Sequence, residues 1–433
     1  MADRLLAVDS ATKLPVNTGL LRAWTGRFYA VSYGADPTGM ADSGPAINAA
    51  IADAKVAGGV VELGPGVFKI GTTINLSGIH TAYAPNTGAS VTLRGAGMHS
   101  TYLTGGETSY GFIELVGSNR VTIEGMTMVS TGTIQFGVLG GRTTGNASSG
   151  EHVFRHVGIY GAFSQAALFM MSSEMCSYDR LLVYTTAGAG AVLARDLRGW
   201  SSVTAKYTAL SSTTAIVSGN GVNRIANSQF LTTGLSATDY PLVLEYIQTG
   251  SFENIYTISS GAPLVLLSKK CAQVSFKGLH QEWNSGIGGA TEPYGIYCSN
   301  VVLSGEQQDI RMSITGSSCY PVYGEDNVVF ADFTFIASQW RGTKSWMFDS
   351  YISYNASINY DSRATSISEV STPRYRVRGA GADNQYTPNS FTTTNRNLRT
   401  NDLGPGTQIF DTTLNKPLWS SVAGWRDATG TLV

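Results

Sequence analysis

The chain has 433 residues, a net charge of −1, and 14% charged against 42% hydrophobic residues. It is too polar for a membrane protein and too apolar for a disordered one, and it has no run of about 18 apolar residues that could span a bilayer. Near-neutral charge without clustered Lys and Arg argues against nucleic acid as a partner.

Residues 1–27 read as an N-terminal attachment segment; they lack the basic start and long apolar block of an ordinary secretory signal. Ser43 to Val56 has the pattern of an amphipathic helix. Ser43 is placed as the N-cap, Pro45 suits an early helical position, Ile47 and Ile51 share a face, and Gly58-Gly59 ends the run. Val60 to Leu63 reads as a strand, Gly64-Pro65-Gly66 as a turn, and Val67 to Ile70 as a second strand.

The string G-A-D-P-T-G (Gly34 to Gly39), the Ala-rich helix and AGGVVELGPGVFKI together resemble the opening of the pectate-lyase-like right-handed β-helix proteins, phage tailspikes especially. The likeness is close from Phe28 to Leu76 and looser to about residue 340. It departs at Ala41-Asp42-Ser43, where the family carries an acidic pair before the helix. The resemblance implies an all-β fold: a right-handed parallel β-helix with an N-terminal capping helix and a small C-terminal β region. It also implies a homotrimer, docked through its N-terminus on a phage baseplate or tail protein, in a virion assembled in the host cytoplasm. The capping helix has a physical reason, because the first turn of a solenoid exposes apolar surface and unpaired strand edges.

Between about residues 80 and 340 a hexad recurs: apolar, spacer, small or polar, apolar, spacer, apolar. Clear copies begin at Ile123, Phe154, Tyr178, Phe252, Phe276, Leu303 and Phe330, with weaker ones at Leu93, Ser202 and Ile225. Successive starts are 23 to 31 residues apart, a period that means stacked solenoid turns. Strand alternation turns the first, fourth and sixth positions inward: Ile123, Met126, Met128; Phe154, Val157, Ile159; Phe330, Phe333, Phe335. Loops such as Gly137–Gly150 and Ser285–Tyr294 separate the hexads. Cys271 and Cys298 hold one repeat position 27 residues apart, which leaves open a disulfide or a reduced buried pair.

The expected division is therefore 1–27 attachment, 28–80 helix and first strands, 81–340 β-helix, 341–400 a C-terminal β region and 401–433 a small terminal module. In that module Phe410, Trp419 and Trp425 anchor either a packed cap or trimer clasp, or a sugar contact.

Candidate chemistry lies on outward positions. A gapless alignment of VSFKGLHQEW (274–283) over VVLSGEQQDI (301–310) places Glu282 and Asp309 on neighbouring rungs about 5 Å apart. Adjacent carboxylates separate their proton affinities, as glycoside hydrolysis requires. His280, Trp283 and Gln307 flank the pair, and Tyr256, Tyr184 and Tyr160 hold outward positions on preceding turns, so a sugar chain could lie along the solenoid. The same residues also fit a solvated or subunit-facing surface. Gln281 and Gln308 read as an interior amide ladder, Glu306 as a slip in register, and Asp239, Glu245 and Glu253 as a weaker acidic cluster. No Asp cluster with a Lys or Arg base supports calcium-dependent lyase chemistry; Arg155, Arg180, Lys206 and Lys277 are scattered, and no metal or cofactor motif appears. The function expected is a phage tailspike that binds and depolymerises a bacterial surface polysaccharide (capsule, exopolysaccharide or O-antigen), by glycosidase-type chemistry. The alternatives are a non-catalytic receptor-binding or structural tail protein of the same fold and a polysaccharide lyase, with a secreted cellular enzyme disfavoured for want of a signal.

Overall fold

The computed structural model describes residues 26–79, 90–105, 111–141, 149–194, 220–268, 271–284, 294–299, 308–320, 322–325, 328–336, 338–340, 348–352, 358–360, 375–378, 389–391, 408–411, 414–421 and 424–432. The fold is the right-handed parallel β-helix expected. Parallel strands stack into three sheets, one strand of each sheet per turn. The first sheet begins with Arg27–Tyr29 on Gly59–Glu62 and Val91–Arg94. The second begins with Thr38–Asp42 on Gly66–Lys69 and Thr101–Gly105. The third begins with Ile74–Asn75 on Gly111–Val116 and Ile134–Gly141. Val153–Met171 and Ser177–Ala194 each run through all three sheets. Parallel pairing continues past residue 340, with Phe348–Ile352 on Val322–Gly324 and Tyr375–Arg378 on Phe348–Ile352.

The hexad has a backbone cause. Its third residue is a corner between the first and second sheets with positive φ: Gly125 (70°), His156 (54°), Arg180 (55°), Asn227 (51°), Asn254 (52°), Gly278 (68°) and Gly316 (58°). A left-handed residue turns the strand and shifts the alternation by one residue, so positions one, four and six all point inward. Ile123, Met126, Met128, Phe154, Val157 and Ile159 are buried accordingly; Phe330, Phe333 and Phe335 are buried too, but there a register shift opposite Ile310 and Arg311, not a left-handed corner, sets the spacing. Interior rings stack from turn to turn, Phe154 on Tyr178 and Phe252 on Phe276, each pair with centroids 5.2 Å apart.

The structure corrects the register at three copies. Tyr178 pairs directly with Ile225, so the rung after Tyr178 begins at Ile225; Ser202 lies outside the described residues. Phe276 pairs with Ile314 and His280 with Ser318. The rung after Phe276 therefore begins at Ile314 rather than Leu303, and its corner is Gly316; Ile314 in turn pairs with Phe335, so the next rung begins there rather than at Phe330.

The helix α1 (Gly44–Ala57) packs Ile47, Ala50, Ile51 and Ala54 onto the first turn. Ser43 occupies the N-cap position, but its hydroxyl serves Asp36, accepting from Asp36 N at 2.9 Å; Asp42 Oδ1 accepts from Gly44 N at 3.0 Å instead. Asn48 covers the strand edge, donating to Thr73 O and accepting from Asn75 N. In the G-A-D-P-T-G string, Asp36 gathers Thr38, Met40 and Ala41 N–H groups. Beyond the solenoid, Asn389–Phe391, Gln408–Asp411, Lys416–Ser421 and Gly424–Asp427 form a separate four-stranded sheet. Trp425 is buried in it, while Trp419 is half-buried.

All four cysteines are free and buried. Cys298 pairs with Leu267, and Cys271 donates to Leu244 O at 3.3 Å, so the two do not occupy one register position.

Candidate functional site

The second sheet presents two outward columns, at the fifth and seventh hexad positions. The fifth-position column carries Gln229, Tyr256 and His280 in register. The seventh-position column runs Tyr160, Tyr184, Leu231, Ile258 and Glu282. Tyr160, Tyr184, Tyr256, His280 and Glu282 thus share one face, half-buried. Tyr160 and Tyr184 have ring centroids 6.3 Å apart, and Tyr256 and His280 5.1 Å.

Glu282 is held from two sides. The Tyr256 hydroxyl donates to Oε2 at 2.6 Å from the rung below, and His280 Nε2 lies 3.2 Å from Oε1 on the same strand. The side chains of His280 and Glu282 are 44% and 42% exposed, so solvent and a ligand reach both. Tyr184 reaches sideways to Thr233, with 3.4 Å between the hydroxyls. Burial pushes the Tyr160 hydroxyl pKa up, so its phenol stays a neutral donor.

The pairing of Glu282 with Asp309 is corrected by the register. Gln273 pairs with Arg311 and His280 with Ser318, so Asp309 falls before the strand that covers 273–277, and its own partner is Val329. The next rung meets this strand in register at Ser318 beside His280, and Tyr320 N then donates to the Gln281 side chain at 3.0 Å. The gapless alignment failed because the chain between these rungs is 38 residues long (276 to 314) rather than 27. Trp283 pairs with Ser259, and alternation turns it away from the face of His280 and Glu282; its Nε1 is buried. Gln307 and Glu306 lie outside the described residues.

The other sequence candidates are accounted for structurally. Gln281 is fully buried, donating to Gly295 O at 2.9 Å and accepting from Tyr320 N at 3.0 Å; it clamps backbone rather than laddering on Gln308, whose partner is Val328. Asp239 caps a loop through Gly188 N and Ser236 N, Glu253 pairs with Arg224 at 2.8 Å on the first sheet, and Glu245 is buried on the third, so these three acids form no common site. Arg155 belongs to an alternating column on the first sheet, Glu62, Arg94, Glu124, Arg155, Asp179, bridged from Glu62 to Arg155 at 2.6 to 3.6 Å. Arg180 bonds His156 at 2.8 Å, Lys277 is in register with Glu253, and Lys206 lies outside the described residues. Among the described residues no group of three or more His, Cys, Asp or Glu could hold a metal ion.

The arrangement offers ring faces and a fixed carboxylate along a straight strip. That is the equipment for docking hydroxyl-rich rings, with one residue that can accept or move a proton. Sequence reasoning missed Ser318, which follows His280 in register, because its rung was displaced.

No family model matches the chain, and no curated protein does. Similar solved structures include the A-module of the mannuronan C-5 epimerase AlgE4 of Azotobacter vinelandii, at 14% identity and a TM-score of 0.41 over 83% of this chain and 99% of that one. The tailspike protein of Acinetobacter baumannii phage AM24 matches at 14% identity and a TM-score of 0.46, over 74% of this chain and 55% of that one. Tailspike protein 3 of bacteriophage CBA120 matches at 15% identity and a TM-score of 0.38, over 95% and 70%. All three TM-scores lie below 0.5, so the β-helix assignment rests on the strand pairing itself.

Proposed function

We propose that the chain is a tailspike-type β-helix that binds a bacterial surface polysaccharide along the outward face of its second sheet. The observation that carries the reading is the strip of Tyr160, Tyr184, Tyr256 and His280 ending at Glu282, whose two oxygens meet Tyr256 and His280. Aromatic faces take the apolar sides of sugar rings, and the carboxylate accepts from their hydroxyls. The G-A-D-P-T-G opening supports the tailspike setting, with a homotrimer joined to a baseplate or tail protein through residues 1–27.

Cleavage is the second reading, favoured by the double grip on Glu282, which suits a proton-transfer group. Against it, the described residues in register with His280 and Glu282 are Tyr256, Ile258 and Ser318, none of them the second carboxylate that a glycosidase pair needs. Incubating the protein with capsular polysaccharide or lipopolysaccharide and measuring binding, new reducing ends and ultraviolet-absorbing unsaturated sugars separates the cases. Binding without either product establishes the binder; reducing ends abolished by Glu282→Gln establish the hydrolase; unsaturated ends establish a lyase. Absence of binding to every surface polysaccharide tried overturns the proposal.

A further inference from the structure

On the third sheet the outward column changes character along the solenoid. Val192 pairs with Val243, Val243 with Leu266, Leu266 with Tyr297, and Tyr297 with Tyr323. The two later rungs therefore carry tyrosines where the earlier ones carry aliphatic side chains. Tyr294 stacks on Tyr323 with centroids 4.6 Å apart at 22°, and Tyr297 lies 5.3 Å from Tyr323. Two residues further along each strand stand Glu245, Ser268, Ser299 and Glu325, also outward by alternation. The Tyr297 hydroxyl donates to Glu325 Oε1, and the Ser299 hydroxyl donates to Oε2 at 3.2 Å. The three rings and Glu325 are half-buried, open to contact from outside.

We propose that this tyrosine platform with Glu325 is a second carbohydrate site, on a different face from the Glu282 strip, taking an uncharged, hydroxyl-bearing stretch of the same polysaccharide. The proposal rests on the reading that the chain binds a glycan. A column that served only to hold the sheet would be met by aliphatic side chains, as it is at Val243 and Leu266. Replacing them with phenols and a carboxylate incurs desolvation that packing alone does not require. Burial, reinforced by Glu325, pushes the Tyr297 hydroxyl pKa up and keeps it a neutral donor. Glu325 and the buried Glu245 make the face unfavourable for acidic sugars, which is why the ligand stretch is uncharged. The two faces are tied together by Gln281, on the strand of His280 and Glu282. It binds Gly295 O, beside Tyr294, and Tyr320 N, three residues before Tyr323.

The test uses the full chain and an array of bacterial surface polysaccharides to find one that binds, followed by calorimetry with its oligosaccharides. Tyr323→Ala and the isosteric Glu325→Gln are compared with Tyr256→Ala, with circular dichroism melts confirming that each folds. The expected result is that both third-sheet variants lose one of two binding events, or weaken overall affinity about tenfold, the scale of one lost ring contact. Tyr256→Ala should affect the other event. If Glu325→Gln and Tyr323→Ala bind as the parent does while Tyr256→Ala is impaired, the second site is wrong and the second-sheet reading stands. If only the third-sheet variants are impaired, the second site stands and the Glu282 strip is wrong. If no polysaccharide binds, both are overturned.

Discussion

At the scale of single residues, two buried polar groups show how the solenoid tolerates polarity inside. His152 is fully buried; Val121 N–H donates to Nδ1 at 3.4 Å, which leaves the proton on Nε2 for Ser149 Oγ at 3.1 Å. Burial lowers its pKa from 6.5 to about 4. The folded pKa lies below the unfolded one, so the unfolded chain binds more protons between the two values. Stability is full above pH 6.5, falls as the pH drops toward about 4, and levels off below it, with a loss on the order of 3 kcal/mol from this one group. Thermal melts from pH 7 to pH 4 should show that slope, and His152→Asn should flatten it even if it lowers the melting temperature throughout. Gln281 has no titration but a comparable role. Gln281→Leu strands Gly295 O and Tyr320 N–H without their partner, and should cost about 2–4 kcal/mol in denaturant unfolding. A loss below about 0.5 kcal/mol would show that the clamp is dispensable.

At the scale of the element, the corner decides both the stability of each rung and how much of it can be read in advance. Asn254 Nδ2 donates to Asn227 Oδ1 at 3.0 Å, and Asn227 Nδ2 to Asp179 Oδ1 at 2.8 Å, so the left-handed residues of adjacent turns support one another. Gly278 continues the row with φ 68°, and a Cβ there would meet Asn254 Oδ1 at 2.8 Å. Gly278→Val should destabilise by about 1–3 kcal/mol through the left-handed penalty, and Gly278→Asn by clearly less. Lys277→Ala, one residue away on an exposed position, should stay within about 0.5 kcal/mol. Equal effects of the Val and Asn variants would mean that the corner conformation is not what limits the rung. The corner also explains legibility. Small or polar residues at 125, 156, 180, 227, 254 and 278 punctuate the apolar pattern, so most rungs on the first and second sheets were visible in the sequence. The rung at Ile314 was not, because Gly316-Ser317-Ser318 lacks the apolar fourth position and a better-looking decoy at Leu303 preceded it. The third sheet was hidden for another reason. Gly111–Val116 and Leu242–Glu245 are buried on both faces, so no alternation marks them. The tyrosines and Glu325 on that sheet went unnoticed with it.

At the scale of the molecule, the solenoid converts sequence distance into a ruler. Tyr160 and Glu282 are 122 positions apart in the chain but only four rungs apart in the seventh-position column, about 19 Å at the parallel strand spacing. A polysaccharide lying along that column meets rings at both ends and Leu231 and Ile258 between them, so each added sugar gains contact until the strip is spanned. Affinity should therefore rise with oligosaccharide length up to a chain of about 19 Å and then level off. Tyr160→Ala, at the far end, should weaken only the longer oligosaccharides, whereas Tyr256→Ala, against His280 and Glu282, should weaken short and long alike, each by up to about tenfold. Calorimetry on size-fractionated fragments measures both effects. Affinity that is independent of length, or a Tyr160→Ala effect already present with the shortest fragment bound, would mean that the glycan crosses the solenoid instead of running along it. The binding groove would then have to be sought around the corner between the second and third sheets, where Tyr320 and Tyr323 lie three residues apart.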